Sequence, residues 1–382
     1  MEDISPIVSI LGIGTAVPAF RMDQADVSQR LAEALREQPH SARWAKRIFR
    51  QCGVETRYTC EPNLLEPAPG CRYFSSASIE GVPTTAERMA TYKKESVPLG
   101  LEAARKALSD SGMTASGITH LITVSCTGQF LPGMDAVLVQ QLGLASTVNR
   151  LPLQFLGCAA GLKAINLSRQ IVSGTSSAKV LIVCVELCTL HFQPSGDKEA
   201  LFAASFFGDG ASACIVGCAG AGHKGIFQLG GDYSVLMPES ADEMVWEVGN
   251  YGFHLYLSPN IPRLIGRWLP AVSGHLTAGE NRPELWAIHP GGRGIIDAVQ
   301  DVYGLTDEQV DSSRAVLRRY GNLSSATMLF VLDDMRRRLR DRRSGPASGM
   351  AVAFGPGLTA EMARITYLPS VVGQEQLIGD AR

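Results

Sequence analysis

Three side chains stand where chemistry would need them: Cys158 in L-P-L-Q-F-L-G-C-A-A-G-L-K-A-I, His289 in W-A-I-H-P-G-G-R-G, and Asn322 in R-Y-G-N-L-S-S-A-T. Cys158 closes an apolar run and precedes Ala159 and Ala160, which open a helix. A sulfur at a strand-to-helix turn faces free backbone N–H groups and the positive end of a helix dipole, and both favour thiolate over thiol. Small neighbours leave room for an acyl group, so the chemistry on offer is nucleophilic attack. A buried structural thiol is the competing reading. His289 ends an apolar strand, and a side chain at the carboxyl end of an α/β strand points toward the usual ligand crevice. Pro290, Gly291 and Gly292 after it make a tight turn that lets a ligand approach the backbone. Asn322 stands at the start of a helix running through Leu329, where capping competes with catalysis. An amide cannot act as a base, but it can donate to a developing negative charge.

His289 follows Cys158 by 289 − 158 = 131 residues, and Asn322 follows His289 by 322 − 289 = 33. That order and spacing is shared with papain-type proteases, whose C-G-[SA]-C-[WY] signature is missing here. None of the nine cysteines forms a C-x-x-C pair, which speaks against zinc ribbons and thioredoxin-type motifs.

The elements that must position these side chains alternate in type. Strands are expected at 118–124, 180–184, 211–216, 285–288 and 350–353, and a helix over Val97 to Ser111 that stops before Gly112. Such alternation argues for a layered α/β fold. The order of parts also repeats. A helix, the strand I-T-H-L-I-T-V-S-C, a turn and the helix M-D-A-V-L-V-Q-Q-L-G-L lead to G-C-A-A-G. A helix, L-W-A-I-H-P, the turn G-G-R-G and I-I-D-A-V-Q-D-V-Y-G-L lead to G-N-L-S-S. This reads as an internal duplication of about 145 residues per copy. Residues 61–85, rich in Pro and small residues, read as an extended surface excursion, 344–348 as a loop, and 369–382 as a loose tail. Gly355, Pro356 and Gly357 mark a rigid turn after a buried strand.

With 382 residues, 45% hydrophobic and 19% charged, the chain can bury a sizeable core as one large domain or two moderate ones. A net charge of −2 argues against a nucleic-acid surface. The scattered, odd set of nine cysteines suits a reducing compartment without a disulfide framework. The N-terminus is acidic where a signal peptide would be basic, and no apolar run reaches the ~18 residues of a membrane span, so a soluble cytoplasmic protein is expected.

The motifs G-C-A-A-G, H-P-G-G-R, G-N-L-S-S-A and A-F-G-P-G-L-T-A-E-M stand in this order, with F-F-G-D-G-A-S-A at 206–213 and G-V-E-T-R-Y at 53–58. In these the chain resembles the type III polyketide synthases, the chalcone-synthase-like branch of the thiolase superfamily, from Val8 to about Ile365. The resemblance implies an α/β thiolase fold of duplicated α-β-α-β-α layers, with halves at 1–230 and 231–382. It implies a homodimer that uses no metal and no organic cofactor. An acyl-coenzyme A starter would load onto Cys158, malonyl-coenzyme A would decarboxylate and condense repeatedly without a carrier protein, and the product would cyclise. His289 as imidazolium would hold the Cys158 thiolate, and His289 with Asn322 would hold the enolate. The sister ketoacyl synthases, which condense once on a carrier protein, lack the G-P-G ending. Thiolases proper use a second Cys near the C-terminus, and none follows Cys218. A non-catalytic acyl-binding protein of this fold is the reading from another class.

The resemblance also assigns further residues. Phe207 and Phe253 match two gatekeeping phenylalanines between the coenzyme A tunnel and the cavity. Lys46, Arg47, Arg50 and Gly294 match the coenzyme A site. Cys126 and His191 stand where plant members carry Thr, and Met244 where they carry Gly. Leu131 matches a residue that crosses the dimer interface. Ser324 and Glu186 match a hydrogen-bond set linked to aldol closure, which Cys126 leaves short of a donor. Cys126 is a feature of bacterial members that take aliphatic starters, so an alkylpyrone- or alkylresorcinol-like product is expected. The six arginines from Arg336 to Arg343 decorate the end of a helix, where cations suit the dipole.

Overall fold

The computed structural model describes residues 7–68, 70–74, 80–193, 195–220, 225–277, 282–342 and 345–369. In chain order the first half holds β1 (Val8–Ala16), β2 (Phe20–Asp23), α1 (Gln24–Ala34), α2 (Pro39–Gln51), β3 (Thr56–Thr59), α3 (Thr85–Ser111), β4 (His120–Ser125) and α4 (Met134–Leu142). It continues with β5 (Asn149–Gln154), α5 (Ala160–Gly174), β6 (Val180–Leu187), α6 (Lys198–Phe206) and β7 (Asp209–Cys218). The second half holds β8 (Phe227–Leu236), β9 (Met244–Gly249), β10 (Gly252–Leu257), α7 (Ile261–Thr277) and β11 (Leu285–Ile288). It ends with α8 (Arg293–Tyr303), α9 (Asp307–Tyr320), α10 (Thr327–Arg340), β12 (Ala347–Gly355) and β13 (Thr359–Tyr367). β8 runs through residue 230.

Nine strands join in the order β11-β12-β13-β8-β1-β7-β6-β4-β5. The middle joint is slight: β8 and β1 pair at Ser9 with Gln228 and at Ile10 with Phe227. On each side of it the pairing rule is the same. β4 runs parallel to β6, and β6-β7 and β7-β1 are antiparallel. β11 runs parallel to β12, and β12-β13 and β13-β8 are antiparallel. The duplication is therefore present in the topology, with β5 as an extra edge strand of the first copy. The copies are further apart than the ~145 residues that motif spacing suggests. Cys158 and Asn322, equivalent in the two copies, differ by 164.

Strand residues alternate between two cores, as the pleat requires. In β6, Val180, Ile182 and Cys184 face an inner core shared with Leu162, Ile165, Leu329 and Leu332 of α5 and α10. Leu181, Val183 and Val185 face Leu99, Ala103 and Leu138 of α3 and α4 on the other side. In the second sheet, Ala351 and Ala353 of β12 face the inner core, while Met350 and Val352 face Ile265, Ile296 and Val299 of α7 and α8. The order is thus helices, sheet, α5 with α10, sheet, helices: five layers, with both faces of each sheet covered, which is why these strands read as near-continuous apolar runs.

Three local expectations need correction. α3 begins at Thr85, twelve residues before Val97, behind a capping box in which Thr84 and Glu87 bond reciprocally. The polar stretch T-Y-K-K-E-S and Pro98 within the helix hid its first turns from the periodic pattern. The Pro-rich excursion is not confined to the surface, because Cys71, Tyr73 and Phe74 are buried beside Phe49 and Phe192. Ala347 and Ser348 belong to β12 rather than to a loop. Of the expected tail, 370–382 lie outside the described residues. The arginines Arg336, Arg337 and Arg338 pair with Asp110, Asp333 and Asp334 around the end of α10. No helix among the described residues is long and apolar enough to cross a membrane.

Candidate active site

β5 delivers the chain to Phe155 and Gly157, both in the left-handed region at φ 56° and 68°, and a 3-10 turn over Gly157–Ala159 leads into α5. This sharp turn lifts Cys158, half-buried, into a cavity of about 710 Å³. The turn is braced from the second copy: a Cβ on Gly157 would lie 2.1 Å from the Pro356 ring, and one on Gly355 would lie 3.0 Å from Ala159. The G-P-G turn shapes the nucleophile loop by close packing.

Asn322 reaches the sulfur from the matching loop of the second copy, its Nδ2 at 3.8 Å. It caps neither helix. Leu323 precedes the 3-10 turn Ser324–Ala326, and Ala326 precedes α10. Instead Asn322 Oδ1 accepts from the Ser324 N–H at 2.8 Å, and Nδ2 donates to the Gly291 carbonyl at 3.3 Å. These bonds fix the amide, whose Nδ2 and Oδ1 lie 3.8 and 3.9 Å from the sulfur. The backbone of Asn322 is held by Phe206 O and by the N–H of Gly208, at 2.8 and 3.1 Å, in a bridge beside Phe207.

His289 follows β11, its N–H on the Val352 carbonyl at 2.8 Å. Its ring is buried and lines the same cavity, and neither ring nitrogen has a hydrogen-bond partner among the described residues. Burial pulls the imidazole down to about 3 and pushes the Cys158 thiol up to about 11, although Ser324 and Asn322 pull the thiol the other way. Both shifts disfavour the charged forms, the direction opposite to the expected thiolate–imidazolium pair, and no hydrogen bond among the described residues links the two groups. Neutral His289 keeps a lone pair free to take a proton, and Asn322 offers N–H to negative charge.

The N-terminal domain model of chalcone and stilbene synthases matches residues 5–220, and the C-terminal domain model matches 229–369. The chain belongs to this family. Its structure is similar to the C-terminal type III polyketide synthase domain of Steely1, a hybrid synthase from Dictyostelium, at 27% identity and a TM-score of 0.85, covering 94% of this chain and 99% of that one. It is also similar to PKS-I of the brown alga Ectocarpus siliculosus, at 26% identity and a TM-score of 0.88, covering 96% and 100%. Among curated proteins it matches a probable polyketide synthase 1 of Dictyostelium discoideum, 28% identical over 362 residues. The chain spans 11% of the length of that relative.

Within this chalcone synthase-like thiolase fold, Cys126, Phe207, Met244, Gly294 and Ser324 line the main cavity with the three central residues. Others do not. Phe253 and His191 line a separate cavity of about 220 Å³. His191 donates from Nε2 to the Thr127 carbonyl at 2.7 Å, accepts at Nδ1 from the Phe253 N–H at 3.0 Å, and stacks on the Phe253 ring at 4.1 Å. Burial holds it near 3, so it is a neutral strut whose bonds and packing leave none of its ring facing the main cavity. Glu186 lies behind Cys126, fully buried and raised by that burial, accepting from the Cys126 N–H and from the hydroxyls of Thr127 and Ser325. Ser324, the expected partner, sits at φ 47° and hydrogen-bonds toward Cys158 instead. Thr127 and Ser325, each one residue from an expected position, supply the donors.

Leu131 is 92% exposed and touches neither cavity. Lys46 and Arg50 line a surface groove against α1, while Trp44, Ile48 and Gln51, on another face of α2, line the cavity. Arg47 is exposed at helical spacing from Trp44 and Gln51. The cations that do line the cavity are Lys198 and Arg293. Arg293 was legible as the Arg of H-P-G-G-R, while Lys198 gave no signal.

Proposed function

We propose that the protein is a type III polyketide synthase that joins an acyl-coenzyme A starter to malonyl-derived units on Cys158. The observation that carries this is the approach of Cys158 Sγ to Asn322 Nδ2, 3.8 Å, in a cavity that also holds the unpartnered ring of His289. As the starter thioester arrives, His289 takes the thiol proton and the sulfur attacks the carbonyl. The coenzyme A thiolate leaves and recovers that proton. Malonyl-coenzyme A then loses CO2, and the electron pair of the broken C–C bond becomes an enolate oxygen. N–H groups of neutral His289 and of Asn322 hold this charge. The enolate carbon attacks the Cys158 thioester, and the sulfur leaves. A buried, largely apolar wall disfavours the malonyl carboxylate, so its loss relieves a desolvation cost.

Trp44, Ile48, Phe202, Leu257 and Ile261 in that wall suit an aliphatic starter and an alkylpyrone- or alkylresorcinol-like product. Nothing in the chemistry calls for a metal or organic cofactor. A cytoplasmic homodimer, with Leu131 entering the partner, accounts for a bulky apolar side chain left 92% exposed. Intact mass spectrometry with a panel of acyl-coenzyme A starters and malonyl-coenzyme A tests the reading. A Cys158 adduct followed by products with several malonyl-derived units, without carrier protein, supports it. An adduct that never extends rejects it.

A further inference from the structure

The two cavities share one wall. Cys188, Glu199, Phe207, Trp246 and Leu255 line both. Trp246 is the aromatic link across it. Its ring meets Phe207 of the main cavity edge-on at 6.5 Å, and His191 and Phe253 of the smaller one at 5.7 and 5.9 Å. Its indole N–H is buried and has no hydrogen-bond partner. A buried donor without a partner asks for an explanation, and here the ring is held by packing alone. Phe253 and His191 stack behind it and back the partition.

We infer that Trp246 is the residue that limits chain length, by closing the main cavity against the smaller one. This rests on the proposed synthase reading and adds to it the residue that sets the size of its substrates and products. The smaller cavity holds about 220 Å³. Removing the partition therefore joins this space to the main cavity and makes room for a longer chain. Trp246→Phe keeps an aromatic ring in place while losing the N–H and part of the indole, so most of the partition stands. Ala203, which lines the smaller cavity and not the main one, offers the converse change.

The experiment has two readouts. The first is the longest straight-chain acyl-coenzyme A that acylates Cys158, by intact mass, and it requires no elongation. The second is the longest product formed with malonyl-coenzyme A. Trp246→Ala is expected to lengthen both, Trp246→Phe to leave both at the wild-type limit, and Trp246→Ala with Ala203→Leu to return them toward it. Should Trp246→Ala not fold, as judged by circular dichroism, Trp246→Leu carries the same expectation at smaller amplitude. Unchanged limits in a folded variant overturn the inference, as does lengthening by Trp246→Phe. A wild-type protein that loads acyl groups but never extends them removes the synthase reading, while the acylation limit still decides the role of Trp246.

Discussion

The two copies of the duplicated half meet at equivalent positions and have been given different chemistry. Cys158 faces Asn322, offset by 164 in sequence. A Cβ on Gly161 would lie 2.1 Å from the carbonyl oxygen of Ser325, and 325 − 161 is again 164. Residues related by the duplication thus touch across a pseudo-twofold axis, where the first turns of α5 and α10 approach. Gly157 and Gly321, before the two central residues, both have positive φ, at 68° and 71°. The strand ends correspond as well, since 289 − 125 is 164. Ser125 ends β4 with its hydroxyl bonded to Tyr92 at 2.7 Å, whereas His289 follows β11 with both nitrogens free. The backbone of both copies is built alike. At this strand end one copy spends its polar side chain on structure, and the other leaves its ring nitrogens for a substrate.

Breaking the asymmetry at its nucleophile has the largest effect. Cys158→Ala abolishes the acyl adduct and lowers turnover by more than about 10³-fold, as measured by intact mass and product formation. Asn322→Ala retains acylation of Cys158 but slows malonyl decarboxylation by about 10²–10³-fold, the usual cost of one lost donor to a developing oxyanion. Equal loss of both steps in the folded variant contradicts the division of labour between the two loops. Next comes the axis itself. Gly161→Ala forces α5 and α10 apart and costs about 1–3 kcal/mol or more in urea unfolding.

The smallest effect concerns the free imidazole. Folding lowers the His289 pKa from 6.5 to about 3. Between those values the unfolded chain binds a proton that the folded chain does not, so this group's contribution to stability falls as pH falls below 6.5. His289→Gln removes that term. The variant should gain on the wild type by up to about 1.4 kcal/mol for each pH unit below 6.5, compared by urea unfolding at pH 6.5 and 5.0. A constant difference would mean that His289 is charged in the folded protein.

The sequence by itself determined five of the strands, the repeated order of parts, and the three central side chains, because Cys158 and His289 end apolar runs and Asn322 follows a glycine before a helix, features that period and punctuation disclose. The motif order disclosed the family in the same way. What tertiary structure decided was the environment. Whether Cys158 is thiol or thiolate depends on how completely water is excluded, which is a sum over many distant residues. Whether Ser324 or its neighbour Ser325 meets Glu186 depends on a backbone at φ 47° that no pattern announces. The resemblance set His191 in the cavity and Phe253 at its gate, yet both line the smaller cavity, with Trp246 packed against them. Lys46 and Arg50 share a helix with residues of the cavity, but with Trp44 and Ile48 lining that cavity those two cations fall on another face. Local chemistry is written in residue types. Which side of a wall a residue occupies is set only when two sheets and their helices pack, since that choice is made by contacts between residues far apart in the chain.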